Sequence, residues 1–362
     1  MTRLEDAHAN AVCWALQRQG VPCEIFDIYD VVAGGSATVR DDMGVISWRC
    51  ERKGELIEVE LEKVACAWMR RHNREYFDFS RVHADDLEAV KRELAAFSDS
   101  IHGLVALRAK ASINSLASRF SGSLKTNQIK IANDVGLITP DTLISNNPKE
   151  VAIFLDRHQR AIFKPYNQNI WSVGDNSSAV QHAALVDRSI LLRPEAISLC
   201  PGIYQSYVEK AYELRVVVMG SKIHCAKIDS QSVDVARVDW RNDYMQRVDI
   251  TRYEDLPEAV SAKILEFMRR MDLSFGCLDM AVTPTGDYVF FEVNEQGQFL
   301  WIEERAPDMR LLELFVRYLC ECAGITSSIE VTLNDYFQSK ECLEHDAFYN
   351  RRYRIDAAAA VS

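Results

Sequence analysis

The chain has 362 residues, of which 48% are hydrophobic and 26% are charged, and its formal net charge is −11. This length exceeds one ordinary hydrophobic core and predicts two or three subdomains. The negative charge excludes a general nucleic-acid surface, because phosphate binding needs a basic face, but a local group of cations can still hold an anionic ligand.

The sequence shows neither a membrane span nor a secretion signal. No apolar run approaches the roughly 18 residues of a membrane span, and residues 1–6 do not have the layout of a secretion signal. Ten cysteines are scattered without a CxxC pair, the closest two being Cys320 and Cys322. In a chain of this length, that spacing favours free thiols over a disulfide framework or a zinc site, so we expect a cytoplasmic protein without a membrane partner.

The first predicted domain covers residues 1–118. Apolar residues at helical spacing predict a helix over 7–19 that ends at Gly20. Alternating or apolar segments then predict strands at 21–28, 45–48, 56–59 and 64–69, and a second helix follows over 83–106.

The second predicted domain, a central subdomain, covers residues 119–200. It has a helix over 125–135, a strand over 137–144 that Pro140 interrupts, and a short strand ending at Lys164 and Pro165. Residues 166–178 are rich in Asn, Ser and Gly, which predicts a loop, and we expect it to act as a lid.

The third predicted domain covers residues 201–330 and is rich in strands, with a terminal tail at 331–362. The strands are expected at 204–209, 214–219, 222–228, 276–282 and 288–293. Helices are expected over 256–271 and 311–322.

The most informative segment of the sequence is the hairpin formed by the last two strands. Glu292 and Asn294 are two residues apart in the second strand and share a face, and Asp279 can lie opposite them. Two carboxylates and an amide oxygen form a hard site that suits Mg²⁺. The alternative is three surface polar residues, but their neighbours are apolar, where unpaired carboxylates are unfavourable.

Several cations stand in or beside apolar strands, where lysine is unusual unless it meets an anion. Lys125 opens a helix, Lys164 ends a strand, and Arg215 and Lys227 lie in neighbouring strands. Each alone is typical of a surface residue. Together with Mg²⁺, they predict a clamp for nucleotide phosphates, although the chain has no P-loop and no GxGxxG motif.

The order along the chain of Lys125, Lys164, the strand at 205–210, and then Asp279, Glu292 and Asn294 resembles the ATP-grasp superfamily. Within it, the chain is most similar to the peptide macrocyclases that build graspetides (microviridin-type synthetases), which are related to the ribosomal-protein glutamate ligases. The resemblance covers about residues 5–320 and rests on segments 113–115, 136–146, 163–165, 209–216, 227–231, 238–241 and 292–303. It implies an α/β (α+β) chain with an N-terminal α/β pre-grasp domain, a central subdomain and a C-terminal subdomain with an antiparallel sheet.

Two departures from the family stand out. Glu295 follows the metal asparagine where the family often has proline. Relatives also begin with an apolar strand before the segment that resembles residues 6–9, and this chain shows no such strand. We therefore expect an altered edge of the N-terminal sheet, which an earlier start or a second copy of the chain in a homodimer could cover.

The resemblance also implies roles for individual residues. Lys125 and Lys164 would contact the phosphates of ATP, and Asp279, Glu292 and Asn294 would bind Mg²⁺. The strand Gln205, Ser206, Tyr207 and Val208 would hold adenine by its backbone, with Glu209 near the ribose. Arg215 and Lys227 would face the γ-phosphate and the carboxylate being activated, and Arg241 would hold an acidic side chain of a precursor peptide.

The function that follows is activation of Asp or Glu side chains as acyl phosphates, with ester or amide cross-links as products. Two alternatives stay open. One is a ligase that adds a free amino acid to a small molecule or a protein terminus. The other is a regulatory module that binds ATP without turnover, which the presence of every metal and phosphate residue disfavours. For Arg241, a surface pair with Asp239 or Asp243 is the simpler alternative.

Overall fold

The computed structural model describes residues 6–27, 37–40, 45–50, 55–70, 79, 82–166, 170–173, 177–180, 183–243 and 245–344. Helices and strands alternate along these residues, and the larger sheets are antiparallel. The predicted mixture of α and β structure is confirmed.

The N-terminal part contains two small sheets and two helices. Its elements are α1 (Ala7–Arg18), β1 (Ala37–Arg40), β2 (Val45–Cys50), β3 (Glu55–Glu60), β4 (Cys66–Trp68), α2 (Leu87–Arg108) and β5 (Ala111–Ile113). Strands β1, β2 and β3 form an antiparallel sheet, and β4 pairs with β5 in parallel. Helix α1 begins at Asp6, whose carboxylate accepts the N–H groups of His8 and Ala9, as an N-cap does.

The strand predicted at 21–28 is wrong over the described residues 21–27, which have no regular secondary structure. Pro22 has no N–H group to give to a sheet. The carbonyl of Cys23 accepts from Cys13 Sγ (3.2 Å) and Gln17 Nε2 (2.9 Å) of α1. Side chains of the first helix therefore take the place that a partner strand would have at Cys23.

The central part contains a four-stranded sheet. Its elements are α3 (Leu116–Ser123), α4 (Lys125–Asp134), β6 (Thr142–Ser145), α5 (Pro148–Arg157), β7 (Ala161–Lys164), β8 (Ile170–Val173), β9 (Ser177–Val180), β10 (Ala184–Val186), α6 (Pro194–Leu199) and β11 (Gly202–Ser206). The strand order is β10-β7-β11-β6, and β8 pairs with β9 as a separate antiparallel hairpin. The loop predicted at 166–178 is therefore partly wrong, because Ile170, Trp171 and Val173 favour a strand despite their polar neighbours.

The predicted boundary between residues 200 and 201 divides β11 from its own sheet. Ile203 pairs with Lys164 of β7 on one side and with Ile144 of β6 on the other. At Gly202 an added Cβ would come within 2.1 Å of the Phe163 ring, so only glycine fits beside β7. A boundary after Ser206 keeps the central sheet whole.

The C-terminal part is built on a five-stranded antiparallel sheet of order β14-β13-β12-β15-β16. Its elements are β12 (Tyr212–Met219), β13 (Lys222–Ile228), β14 (Ile250–Tyr253), α7 (Glu258–Arg270), β15 (Phe275–Val282), β16 (Tyr288–Asn294), α8 (Leu300–Arg305), α9 (Leu311–Ala323) and α10 (Leu333–Phe337). The strands predicted at 214–219, 222–228, 276–282 and 288–293 are confirmed, as are the two helices. One face of the sheet packs on α7, and the other shares a core with α1 and α9.

The tail predicted at 331–362 is wrong in its first part. Leu333 and Tyr336 of α10 are buried, and the Tyr336 ring lies 5.5 Å from that of Trp14 in α1. This segment completes the core between the first and last helices. The frayed end predicted at 357–362 lies outside the described residues.

Short 3₁₀ turns connect several elements, at Leu61–Lys63, Ala84–Asp86, Arg188–Leu192, Asp234–Ala236, Trp240–Asn242 and Pro307–Met309. Among the helices that the structure describes, none is both long enough and apolar enough to cross a lipid bilayer.

Candidate active site

The predicted hairpin brings its carboxylates to one sheet face. Asp279 of β15 is the register partner of Glu292 in β16 and, on its other side, of Arg215 in β12. An irregularity between Asp279 and Met280 shifts the register, so Phe290 rather than Phe291 pairs with Met280. Such a bulge changes the direction of nearby side chains. Beside it, Glu292 and Asn294 both face the same cavity.

Asp279 is gripped by two arginines. Its Oδ1 accepts from the Arg215 guanidinium at 2.5 Å, and its Oδ2 accepts from Arg241 at 2.8 Å. Burial alone would raise the pKa of this carboxyl, but the two cations outweigh it and hold the pKa at about 2. Asp279 is therefore ionised at any working pH.

Glu292 faces two lysines. Its Oε2 accepts from Lys125 Nζ at 2.8 Å, and Lys164 supports it electrostatically. Burial would raise the pKa of Glu292, yet the two ammonium groups keep that pKa below its ordinary value. Burial also lowers the pKa of Lys164, whose Nζ lies 4.9 Å from the centre of the Phe291 ring and has no hydrogen bond or ion pair among the described residues.

A cavity of about 350 Å³ is lined by Lys125, Lys164, Arg241, Asp279 and Glu292 and also reaches the central sheet. Its other wall contains Ile162 and Lys164 of β7 and residues 205–208. Of these four, the first two end β11 and the last two follow it. The Ser206 and Tyr207 N–H groups are bonded to the carbonyls of Asp141 and Arg160. Over the part of the chain that the structure describes, the main-chain groups of Val208 have no such partner. This wall offers free backbone groups to a ligand.

Glu209 is placed differently from the expectation. Its carboxylate pairs with the Arg160 guanidinium, which also stacks 3.7 Å from the centre of the Tyr207 ring. Glu209 is exposed and does not line the cavity. The strand predicted at 204–209 ends at Ser206, so the alternation that would have turned Glu209 inward does not hold.

Lys227 is not brought to the cavity, which corrects its expected place beside the γ-phosphate. Its register partner in β12 is Leu214, whereas Arg215 pairs with Ala226. Because side chains alternate across a strand, Lys227 points to the opposite face from Arg215. Its ammonium lies there, 4.6 Å from the centre of the Tyr212 ring.

A second cavity of about 550 Å³ adjoins the first, and Arg241 and Asn294 line both. One wall is the stacked pair Trp240 and Trp301, with ring centres 4.8 Å apart. Arg215 also faces this cavity, and its Nε is buried without a hydrogen-bond partner among the described residues. The second cavity thus has an aromatic wall and contains the guanidinium groups of Arg215 and Arg241 beside the carboxylates of Asp243, Glu292 and Glu304. A guanidinium group suits an acidic side chain of a larger molecule.

Two residues of the cavity were not found from the sequence. Lys210 Nζ donates to Glu213 Oε1 at 2.7 Å and to the Val238 carbonyl at 3.0 Å, and both side chains line the first cavity. Burial raises the pKa of Glu213, although Lys210 opposes this. The signal was present, because Glu213 precedes Arg215 by two residues in one strand and must share its face.

The donor set fits a nucleotide with Mg²⁺. Asp279, Glu292 and Asn294 supply oxygen atoms, the ligand type that Mg²⁺ prefers. This set has two carboxylates and one amide, and in the described ranges no group of three or more His, Cys, Asp or Glu side chains could hold a metal ion. Lys164, which is half-buried and has no ion pair among the described residues, faces the same cavity. The site therefore combines oxygen ligands for a divalent cation with the ammonium groups of Lys125 and Lys164, as a bound polyphosphate requires.

Comparisons with solved structures identify the architecture. The chain superimposes with a TM-score of 0.78 on the Chryseobacterium gregarium RiPP-associated ATP-grasp ligase in complex with ADP and a leader and core peptide, at 24% identity over 88% of this chain and 95% of the other. With the macrocyclase MdnC of Microcystis aeruginosa MRC, bound to precursor peptide MdnA, the TM-score is 0.75 at 24% identity, over 87% and 96%. The chain has the ATP-grasp fold.

A third solved structure, of the ATP-grasp ligase PsnB with a phosphomimetic variant of a minimal precursor, Mg and ADP, gives a TM-score of 0.67 at 19% identity, over 89% of this chain and 97% of that one. No family model and no curated protein sequence matches the chain. In this fold the first cavity lies between the central sheet and the C-terminal sheet, since β7, β11, β15 and β16 all contribute to its wall.

Proposed function

We propose that the protein is an ATP-dependent ligase that activates Asp or Glu side chains of a precursor peptide and joins them to a hydroxyl or an amine. The observation that carries the proposal is the meeting of Lys125, Lys164, Arg215 and Arg241 with Asp279, Glu292 and Asn294 at two joined cavities. One cavity suits a nucleotide, and the other suits an acidic side chain.

The first cavity would hold ATP. Lys125 and Lys164 would neutralise its phosphates, and the backbone at residues 205–208 would bind adenine, since all of them line this cavity. Asp279, Glu292 and Asn294 would hold Mg²⁺, which when bound supplies the charge that screens the phosphates from an approaching anion. Glu209 is assigned no contact with ribose, because it pairs with Arg160 outside the cavity.

The second cavity would hold the peptide carboxylate. Arg215 and Arg241 offer fixed donors for a carboxylate whose oxygen takes the γ-phosphoryl group of ATP, giving an acyl phosphate and ADP. A hydroxyl or amine of the peptide then attacks the acyl carbon, phosphate leaves, and the nucleophile loses its proton. Water must be kept out, since it would hydrolyse the acyl phosphate.

The solved structures with this fold support the choice of substrate. The Chryseobacterium ligase contains ADP with a leader and core peptide, and MdnC contains a precursor peptide. We extend this to a precursor peptide as the partner of the present chain, acting in the cytoplasm. A homodimer belongs to the same proposal and would be tested by sedimentation at several protein concentrations.

The decisive experiment incubates the protein with ATP, Mg²⁺ and an acidic precursor peptide that contains Thr, Ser or Lys. The expected result is ADP release with the loss of one water mass from the peptide per bond formed. ADP release with a free amino acid added to an acceptor would favour the other ligase. Nucleotide binding without turnover on any acceptor would favour the regulatory module.

We expect Lys164→Ala to weaken nucleotide binding by tens-fold, because a hydrogen bond to a charged group contributes about 1.5–3 kcal/mol. Isothermal calorimetry with ADP and Mg²⁺ measures the effect. Lys227→Ala is the matched control, since that lysine also lies over an aromatic ring but lines neither cavity. Equal ADP affinity in the Lys164 variant and the wild type would remove Lys164 from the nucleotide site.

A further inference from the structure

The segment of residues 293–300 connects the metal strand to α8, and its main chain is held by side chains from elsewhere in the fold. In chain order along the segment, the hydrogen-bonded pairs are Gln128 with Val293, Asn114 with Glu295, Arg70 with Gln296 and Gly297, Arg215 with Gln298, and His8 with Phe299 and Leu300. Such a run of side-chain bonds replaces the regular ladder that a strand or helix would provide.

The first two side chains hold the start of the segment. Gln128 accepts from the Val293 N–H at 3.0 Å and donates to the Val293 carbonyl at 2.9 Å. Asn114 donates to the Glu295 carbonyl at 2.7 Å and has a φ of +37°, a strained backbone conformation that only a few side chains tolerate. Both are buried, so their amide groups are fixed in direction.

Arg70, from the N-terminal part, holds the middle of the segment. Arg70 is fully buried and donates to the Gln296 carbonyl at 3.1 Å and the Gly297 carbonyl at 3.3 Å. Its guanidinium is held in turn by both carboxylate oxygens of Asp6, at 2.6 and 3.1 Å. Arg70 therefore has hydrogen-bond partners both in the segment and in Asp6. A buried polar side chain with partners on both sides is held rigidly in one orientation.

His8 completes the set with a bond that fixes its protonation. Its Nε2 accepts the N–H groups of Phe299 at 2.9 Å and Leu300 at 3.0 Å. A nitrogen that accepts carries no proton, so the ring is the neutral tautomer with its proton on Nδ1. The imidazole therefore acts as a fixed acceptor for two main-chain donors.

The segment contains one residue of the proposed site and binds another, so these hydrogen bonds affect the site. Asn294, a proposed metal ligand, stands at its start. In its middle, the Gln298 carbonyl accepts from Arg215 at 3.0 Å, and Arg215 in turn holds Asp279. A shift of the segment would displace Asn294 and Arg215 together.

We infer that His8, Arg70, Asn114 and Gln128 are positioning residues that fix the metal end and the carboxylate end of the site through this segment. The inference rests on the proposed function, because it assigns these residues to the same reaction. Supports of this kind commonly change metal affinity or activity by about ten- to a hundred-fold. They leave the adenine wall at residues 205–208 untouched.

His8→Leu is the test variant, and Glu303→Leu is its matched control. Glu303 is also buried and accepts two main-chain N–H groups, of Leu312 at 2.7 Å and Leu333 at 2.6 Å, but it lines neither cavity. Each change leaves two buried donors without an acceptor, so both variants should lose thermal stability. Only His8→Leu should alter the site.

Two measurements separate positioning from stability. Hydrogen exchange without ligand should be faster at residues 294–300 in His8→Leu and unchanged there in Glu303→Leu. The ratio of ADP affinity with Mg²⁺ to that with EDTA should fall by about ten-fold or more in His8→Leu alone. ADP affinity in EDTA should stay within about two-fold of wild type in both variants.

The outcomes are distinct. Wild-type protein that binds ADP equally well with and without Mg²⁺ would overturn the proposed function and this inference with it. A Mg²⁺ effect present in the wild type and equal in His8→Leu would overturn the inference alone, as would an equal loss in Glu303→Leu. If His8→Leu does not fold, His8→Gln is the variant to measure. Its amide oxygen can accept in place of Nε2, so His8→Gln should show the same Mg²⁺ effect on ADP affinity as the wild type.

Discussion

Glu292→Gln is expected to lower ATP turnover by about a hundred- to a thousand-fold, the range for losing one group that stabilises developing charge. The substitution keeps the shape of the side chain but removes its negative charge. Glu292 faces Lys125 at 2.8 Å and pairs in register with Asp279, so it supplies half of the anionic charge expected around Mg²⁺. ADP release in the presence of peptide and Mg²⁺ is the measurement.

The control for this variant lies in the same hairpin. Asp287 occupies the turn, where its carboxylate accepts from Thr285 Oγ1 at 2.7 Å, away from both cavities. Asp287→Asn should therefore turn over ATP as the wild type does. A Glu292→Gln protein with a normal melting temperature and normal turnover would show that the metal assignment is wrong.

The hairpin of β15 and β16 is the part of the site whose geometry the sequence predicted best. The reason is that side chains in a strand alternate, so Glu292 and Asn294 must share a face wherever the strand lies. The pairing of Asp279 with Glu292 also needed the bulge between Asp279 and Met280, because regular pairing from Val282 and Tyr288 onward would place Phe291 opposite Asp279. Local rules were sufficient for the shared face of Glu292 and Asn294 but not for this bulge.

Lys227 shows where local rules fail. Its strand and that of Arg215 were both predicted, but the register between them was not, and a shift of one residue changes the face. In the structure Arg215 pairs with Ala226, which sends Lys227 to the other side of the sheet. A charged residue in each of two strands therefore predicts a shared site less reliably than two polar residues at a fixed spacing within one strand.

The residues that hold segment 293–300 could not be predicted from patterns at all. His8 and Phe299 are separated by 291 positions, and Arg70 and Gln296 by 226. Their bonds run from side chain to main chain, so the accepting or donating residue leaves no trace in the sequence. Only the burial of such polar side chains, visible in the fold, marks them as specified.

Arg241→Ala should lower peptide conversion by about ten- to a hundred-fold, the loss expected when a charged group no longer donates to a carboxylate. ATP affinity should stay within about two-fold of wild type, because the proposed phosphate contacts are Lys125 and Lys164. The alternative is a structural pair, and Arg241 does bond Asp239 at 3.2 Å. It also bonds Asp279 at 2.8 Å and lines both cavities, which a surface pair would not do.

The measurement follows precursor conversion by mass spectrometry and ATP binding by calorimetry on the same preparations. Arg241→Lys should restore little, since an ammonium keeps the charge but cannot form the two parallel bonds of a guanidinium. Arg247→Ala is the control, because Arg247 pairs with Asp243 at 3.0 Å in the same segment and is half exposed. Conversion at the wild-type rate in Arg241→Ala would remove this residue from the mechanism. Equal losses in Arg241→Ala and Arg247→Ala would assign both arginines to the stability of the segment, because only Arg241 faces the cavities.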